Sequence, residues 1–188
     1  FHLITAFLIL GVTLRFYVKK NMLNSNVFVS KEEKNENKFF LLLLVFAFFQ
    51  IFYGAYVSGT HSGLLYNTWP NYNENIIPIN IFEKDSFLAN FFENGDFIIF
   101  FHRTFAVVLT VVLIIINYRI FTKEFLFKYR TVILVLDILF IIQMLLGIFM
   151  TYFNIPWHLA LLHQGNSIFI FMSLVYLHSY LNFARAKL

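Results

Sequence analysis

Long apolar runs alternate with short polar ones along the 188 residues, and the alternation has the length of a bilayer rather than of a soluble helix. A helix needs about 20 apolar residues to cross a membrane. Five stretches meet or approach that length: 1–18, 39–59, 97–118, 131–153 and 157–182. The pattern predicts an all-α, polytopic membrane helix bundle with five transmembrane helices. Residues 19–38, "KKNMLNSNVFVSKEEKNENK", read as a solvated linker between the first two runs. "RIFTKEFLFKYR" joins the third run to the fourth, and "NIP" is a tight turn between the last two. The opening run is already hydrophobic, with no Met and no charged segment before it, so it is expected to be a helix cut near its start. On that expectation 1–18 is the last helix of a preceding half, and 39–188 is a complete four-helix half.

The 60–96 segment differs from the other connections. Its first part, "HSGLLYNTWPNYN", mixes turn-forming Gly63, Asn67, Pro70, Asn71 and Asn73 with Leu64, Leu65, Tyr66, Trp69 and Tyr72, which favour an apolar surface. Its later part, "DSFLANFFENG", predicts a short helix lying along the membrane surface. Asp85 is the expected cap, Phe87, Leu88, Phe91 and Phe92 form one apolar face, and Gly95 is the expected end. A loop of this length with its own helix serves as a lid or as an interfacial anchor; the sequence leaves both open.

Charge orients the bundle. Only 13% of residues are charged, against about 25% in soluble domains. Lys19, Lys20, Lys31, Lys34, Lys38, Arg119, Lys123, Lys128, Arg130, Arg185 and Lys187 fall in or beside the linker, the 119–130 loop and the tail; with Arg15 they make 12 of the 14 Lys and Arg. By the positive-inside rule those segments are cytoplasmic or matrix-facing, and 60–96 faces out. The net charge of +4 is thereby accounted for without nucleic acid. The absence of Cys excludes disulfides, thiolate ligands and iron–sulfur clusters in this chain.

Ionisable groups within spans are costly and are functional candidates. Of six histidines, His102 and His163 each lie about six residues from the outer end of their helices, roughly 9 Å below the rim at 1.5 Å per residue. His2, 17 residues before Lys19, falls in the same outer third. Two neutral imidazoles from facing helices suit a six-coordinate haem iron; the alternative for each is an ordinary interhelical hydrogen bond. His61 and His158 sit at the outer rim, and His178 lies about 22 Å deeper than His163, at the inner rim. Arg103 needs an anion, either a haem propionate or Glu93 or Asp96 in the adjoining loop. Asp137 reaches the inner interface and is assigned no chemistry. Gln50-x-x-x-Gly54 and Gln143-x-x-x-Gly147 share one spacing, and their glycines allow close approach of a helix or a porphyrin. That match, and the shared outer-third His of "HLITAFLILG" and "HQGNSIFIF", hint at an internal repeat.

"QIFYGAYVSGTHSGLLYNTWP", "NFFENGDFIIFFHRTFA" and "QMLLGIFMTYFNIPWHLALLHQ" together resemble the second half of the heme A synthase family, in its alphaproteobacterial and mitochondrial form. The resemblance covers nearly the whole chain in order. It implies eight spanning helices in two four-helix halves, with the five runs here as the fourth to eighth. It implies oxidation of the C8 methyl of haem O to the formyl group of haem A, with a haem b cofactor held by His102 and His163. His2 matches a ligand of the substrate haem in the first half, whose partner His and a proposed glutamate lie upstream of Phe1. It further implies a bacterial or mitochondrial inner membrane, an electron donor left open, and heme O synthase or a second copy of the chain as candidate partners. The sequence departs from the family at Ile99, where relatives often carry Gln, and lacks the loop Cys pair of the Gram-positive branch. A non-catalytic cytochrome b passing electrons is the rival reading; a transporter is disfavoured, since no discontinuous spanning pair is visible.

The charge pattern yields the first prediction. Because the chain has no native Cys, single cysteines at Asn35 and Asn75 report topology cleanly: Asn35→Cys reacts with an impermeant maleimide only from the cytoplasmic or matrix side, and Asn75→Cys only from outside.

Overall fold

The computed structural model describes residues 2–186 and contains five helices long and apolar enough to cross a membrane. These are α1 (His2–Leu23), α2 (Lys31–Gly59), α4 (Gly95–Thr122), α5 (Arg130–Tyr152) and α6 (Trp157–Phe183), with the short α3 (Phe87–Glu93) in the outer loop. The 3₁₀ turns Ser62–Leu64 and Glu124–Tyr129 complete the helical elements among the described residues. The chain is a multi-pass, all-α membrane bundle. Its strand content there is one parallel pairing of Phe28–Val29 with Arg185–Ala186, which ties the first connection to the tail. Phe1 and Lys187, counted above in the first run and among the inner cations, lie outside the described residues.

The linker is shorter and more ordered than its composition suggests. The polar segment 19–38 is largely helical: α1 continues to Leu23 and α2 already begins at Lys31. A capping box explains the early start. Ser30 Oγ accepts from the Glu33 amide at 3.1 Å, while Glu33 accepts from the Ser30 amide at 2.7 Å. Glu33 and Glu36 are not solvated, at 4% and 7% exposure. Both face the Glu124–Tyr129 turn and the end of α4. Arg119 donates to Glu36 from Nε and Nη2 at 2.7 and 2.9 Å, and Lys123 also bonds Glu36. Tyr129 donates its hydroxyl to Glu33 at 2.7 Å, with Lys128 Nζ 2.6 Å away. The cations at this end of the bundle therefore help to close it.

In the outer loop, the cap of α3 is Ser86, which accepts from the Ala89 amide at 3.1 Å, and not Asp85. Gly95 does not end a helix but opens α4. The residue between them does both jobs: Asn94 closes α3, and its Oδ1 accepts from the Asp96 and Phe97 amides to start α4. A hydroxyl one residue nearer the first turn outcompetes Asp85, and an Asn cap displaces the glycine stop.

α2, α4, α5 and α6 form a ring in which α2 packs on α4 and α6, and α5 packs on α4 and α6, so α4 and α6 stand at opposite corners. α1 lies outside the ring on α6. It runs parallel to α6, with Phe7 edge-on to Phe171 at 5.3 Å and Arg15 over Phe183 at 4.8 Å. The main apolar core fills the inner part of the ring, through Leu43, Ile116, Ile133, Leu136 and Leu174. Further out the packing changes. Residues 137–152 of α5 and 157–166 of α6 carry no fully buried side chain.

The inner ion-pair cluster has a measurable weight. Glu36→Ala leaves two cations without their carboxylate and is expected to cost about 1–3 kcal/mol, read as a lower thermal midpoint of the detergent-solubilised protein; Glu36→Gln is expected to fall between Ala and the parent.

Candidate functional site

The site begins from two glycines. On α2, a Cβ built at Gly54 would lie 3.0 Å from Cε1 of His102 on α4. On α5, a Cβ at Gly147 would lie 3.3 Å from Cε1 of His163 on α6. Each imidazole thus turns its Cε1 edge to the backbone of a neighbouring helix that carries hydrogen where any other residue has carbon. The same Gln-x-x-x-Gly spacing supplies both cradles. The weak internal repeat seen in the sequence is a repeated helix–imidazole contact in space.

The two halves of this repeat differ in their polar partners. Gln50, one turn before Gly54, points its Nε2 at Nδ1 of His102 (3.2 Å) and donates to the His102 carbonyl at 3.0 Å. Its own Oε1 is buried without a partner. Gln143 instead accepts from Asn166 Nδ2 at 2.8 Å, and Asn166 also donates to the Leu139 carbonyl. Nδ1 of His163 is buried with no hydrogen-bond partner, and the Gln143 backbone is the polar group acting on that ring. His102 and His163 lie within electrostatic range of each other across the ring of helices. Their side chains come from its opposite corners, the arrangement that two axial ligands of one flat macrocycle require. The glycine cradles fit such a group, because they fix each imidazole against one helix and leave its other side to the interior.

The remaining candidates separate from this pair. His2 is exposed on α1, outside the ring. Since Phe7 is level with Phe171, His2 lies five residues further out and within about 5 Å of the level of His163. The matched depth is retained, but the structure does not bring His2 to the other two. His61 and His158 are exposed at the outer end. His178 bonds Asn37 at the inner end through Nδ1 at 3.0 Å. Asp137 accepts from Asn117 on α4 at 2.8 Å, an interhelical hydrogen bond. Ile99 is buried.

Arg103 has neither of the carboxylate partners considered for it. Its Nη1 donates to the Thr68 carbonyl at 3.0 Å and its Nη2 to the Tyr66 carbonyl at 3.3 Å, with the guanidinium 4.8 Å above the Tyr72 ring. Backbone carbonyls, which the sequence does not single out, take up two of its five N–H donors. The polar–aromatic stretch is therefore a strap. Thr68 Oγ1 accepts from the Asn73 amide and donates to the Asn71 carbonyl, and Tyr72 and Asn75 exchange backbone bonds. Tyr152 at the end of α5 donates to the Trp69 carbonyl at 2.7 Å. One short segment thus spans the outer ends of α4 and α5. Burial, with a hydrogen bond to Asp96, pushes the Tyr66 phenol up to about 12. Burial also raises the Tyr72 phenol, opposed by the adjacent guanidinium. Both stay neutral at physiological pH.

α3 is docked beside this strap. Tyr53 donates to the Phe91 carbonyl at 2.9 Å, and Tyr56 bonds the Phe92 carbonyl. Phe91 packs on Tyr53 and Phe101, while Phe87, Leu88 and Phe92 stay exposed, as an interfacial anchor requires. Asn90 and Asn94 stitch the preceding loop to it, Asn90 through both bonds to Lys84 and Asn94 to the Asn80 carbonyl at 2.7 Å.

Against this geometry the comparisons with known proteins can be set. Residues 1–175 match the family model COX15-CtaA, described as cytochrome oxidase assembly protein. The chain is 35% identical over 142 residues to a protein of Pelagibacter ubique named heme A synthase, covering 76% of this chain and 41% of that protein. It is 31% identical over 163 residues to the heme A synthase of Brucella anthropi, covering 87% of this chain and 44% of the relative. With that of Rhizobium rhizogenes it shares 36% identity over 133 residues. The chain spans less than half the length of these relatives.

The strap's dependence on one guanidinium gives a direct expectation. Arg103→Leu removes the donors to both carbonyls and frees residues 66–75, so hydrogen exchange there accelerates by about tenfold or more per bond lost, at roughly 1.4 kcal/mol each. Exchange in the Asn90–Asn94 segment should change far less.

Proposed function

Because the chain belongs to the COX15-CtaA family of cytochrome oxidase assembly proteins, we propose that it carries the haem b half of a heme A synthase of the bacterial inner membrane. The full reaction proposed is oxidation of the C8 methyl of haem O to the formyl group of haem A. The observation that carries the site assignment is the pair of glycine cradles, each placing an imidazole from one of two opposite helices against a backbone without a Cβ. A haem b held by His102 and His163, its proposed ligands, would supply one-electron transfer. Gly54 and Gly147 let those rings approach their helices.

Arg103 enters this reading as a cation close under the outer rim. Two of its donors hold the strap, so its part toward a propionate is a field from a fixed position and does not require it to leave the strap. His2, on the outer side of α6 at the matched depth, is the proposed contribution of this chain to the substrate haem. The relatives' names support the activity for the whole protein, and haem O, an electron donor, heme O synthase and a second copy of the chain are its proposed partners. Electron transfer alone, as in a cytochrome b, would use the same His pair, and the product separates the two readings.

Two measurements test this. His102→Ala or His163→Ala is expected to abolish the low-spin bis-imidazole spectrum of this half, while His178→Ala retains it. Haems extracted from cells with the parent gene should include haem A or its alcohol intermediate, and cells lacking the gene should accumulate haem O. Retention of the spectrum without His163 would overturn the ligand assignment; unchanged haem composition on deletion would overturn the activity.

A further inference from the structure

The cradles are alike in shape and unlike in chemistry, and the difference lies in one side chain. Gln143 has its oxygen committed to Asn166. Gln50 has its Nε2 at both Nδ1 and the carbonyl of His102, while its Oε1 is buried and unpartnered. An unpaired carbonyl oxygen in a membrane interior is costly, and it persists here one helical turn from the glycine that admits the same imidazole. We propose that Gln50 is a positioning residue for His102, whose amide holds the ring in the rotation and tautomer that turn its Nε2 toward the haem iron. The inference rests on the haem b reading above.

The chemistry follows from which ring nitrogen holds the proton. With Gln50 Nε2 donating to Nδ1, as the amide stands here, the neutral ring carries its proton on Nε2. A ring that ligates through Nε2 must carry it on Nδ1 and needs an acceptor there. A primary amide is neutral and both donor and acceptor, so it can serve either form. A half-turn of the amide exchanges Nε2 for the orphaned Oε1, which then accepts from Nδ1–H. The His102 carbonyl gives up its second bond and keeps its helical one. No other side chain bonds the His102 ring among the described contacts, so the role falls to Gln50 alone. His163, whose Nδ1 is buried without a hydrogen-bond partner, would be the less tunable of the two ligands.

Gln50→Met keeps the volume and removes both hydrogen-bonding functions; Gln50→Glu keeps an acceptor. The variants are made in the full-length protein, purified in detergent with its haems, and read by haem content, low-spin electron paramagnetic resonance and redox titration of the second-half haem. Gln50→Met is expected to weaken haem retention about 10- to 100-fold and to raise the midpoint potential, because an imidazole without an acceptor at Nδ1 is a weaker donor to ferric iron. Gln50→Glu is expected to retain the haem with a potential at or below that of the parent. A side chain that only fills space would be replaced by Met without change, so a Met variant matching the parent in haem content and potential overturns the proposal. If the Met variant does not accumulate, the Glu variant decides alone, a potential above the parent's overturning it. A parent protein with no low-spin bis-imidazole haem in this half overturns the haem reading itself, and the two failures are thereby distinct.

Discussion

A helix can bring its backbone against the edge of an imidazole this closely only where it carries no Cβ, and the bundle meets this requirement twice. Gly54 receives His102 and Gly147 receives His163, each within a distance that a methyl group would fill. The contacts connect α2 to α4 and α5 to α6, the pairs whose packing makes up two sides of the ring. The apolar core lies mainly in the inner half, and the outer parts of α5 and α6 contribute no fully buried side chain. In that region the imidazole cradles do what aliphatic packing does elsewhere.

Both ends of the ring are closed by polar groups recruited from loops. At the inner end two buried glutamates of α2 draw in Arg119, Lys123, Lys128 and Tyr129 and so tie the connections together. At the outer end the carbonyls of a short strap satisfy Arg103 and Tyr152. The chemistry differs for a reason. The inner loops are rich in opposite charges that can pair, whereas the outer strap offers backbone oxygens and aromatic faces to a lone guanidinium. Between these closures lie the two imidazoles, and the side chain that bonds the His102 ring is the neutral amide of Gln50.

The spans and the shared depth of His102 and His163 were legible from the sequence, because length of apolar run and position along a helix are one-dimensional quantities. Helix ends were less so. Ser30, Ser86 and Asn94 decided them by side-chain bonds to particular amides, and competing caps one residue apart look equivalent in composition. The solvated reading of Glu33 and Glu36 failed because burial of a charge depends on cations and a tyrosine 83 to 96 residues away in the chain.

What the sequence determined by itself was therefore an all-α membrane bundle, two imidazoles at one depth, and membership of a family through motifs carried in order. Tertiary structure alone decided that the repeated Gln-x-x-x-Gly segments face those imidazoles, that Gln50 and Gln143 use their amides differently, that Arg103 is satisfied by carbonyls, and that His2 stands outside the ring at the same level. The physical reason is rotation about the helix axis. Sequence spacing fixes how deep a residue lies, but which neighbour it meets depends on how each helix is turned against the next, and that angle is set by contacts among all of them.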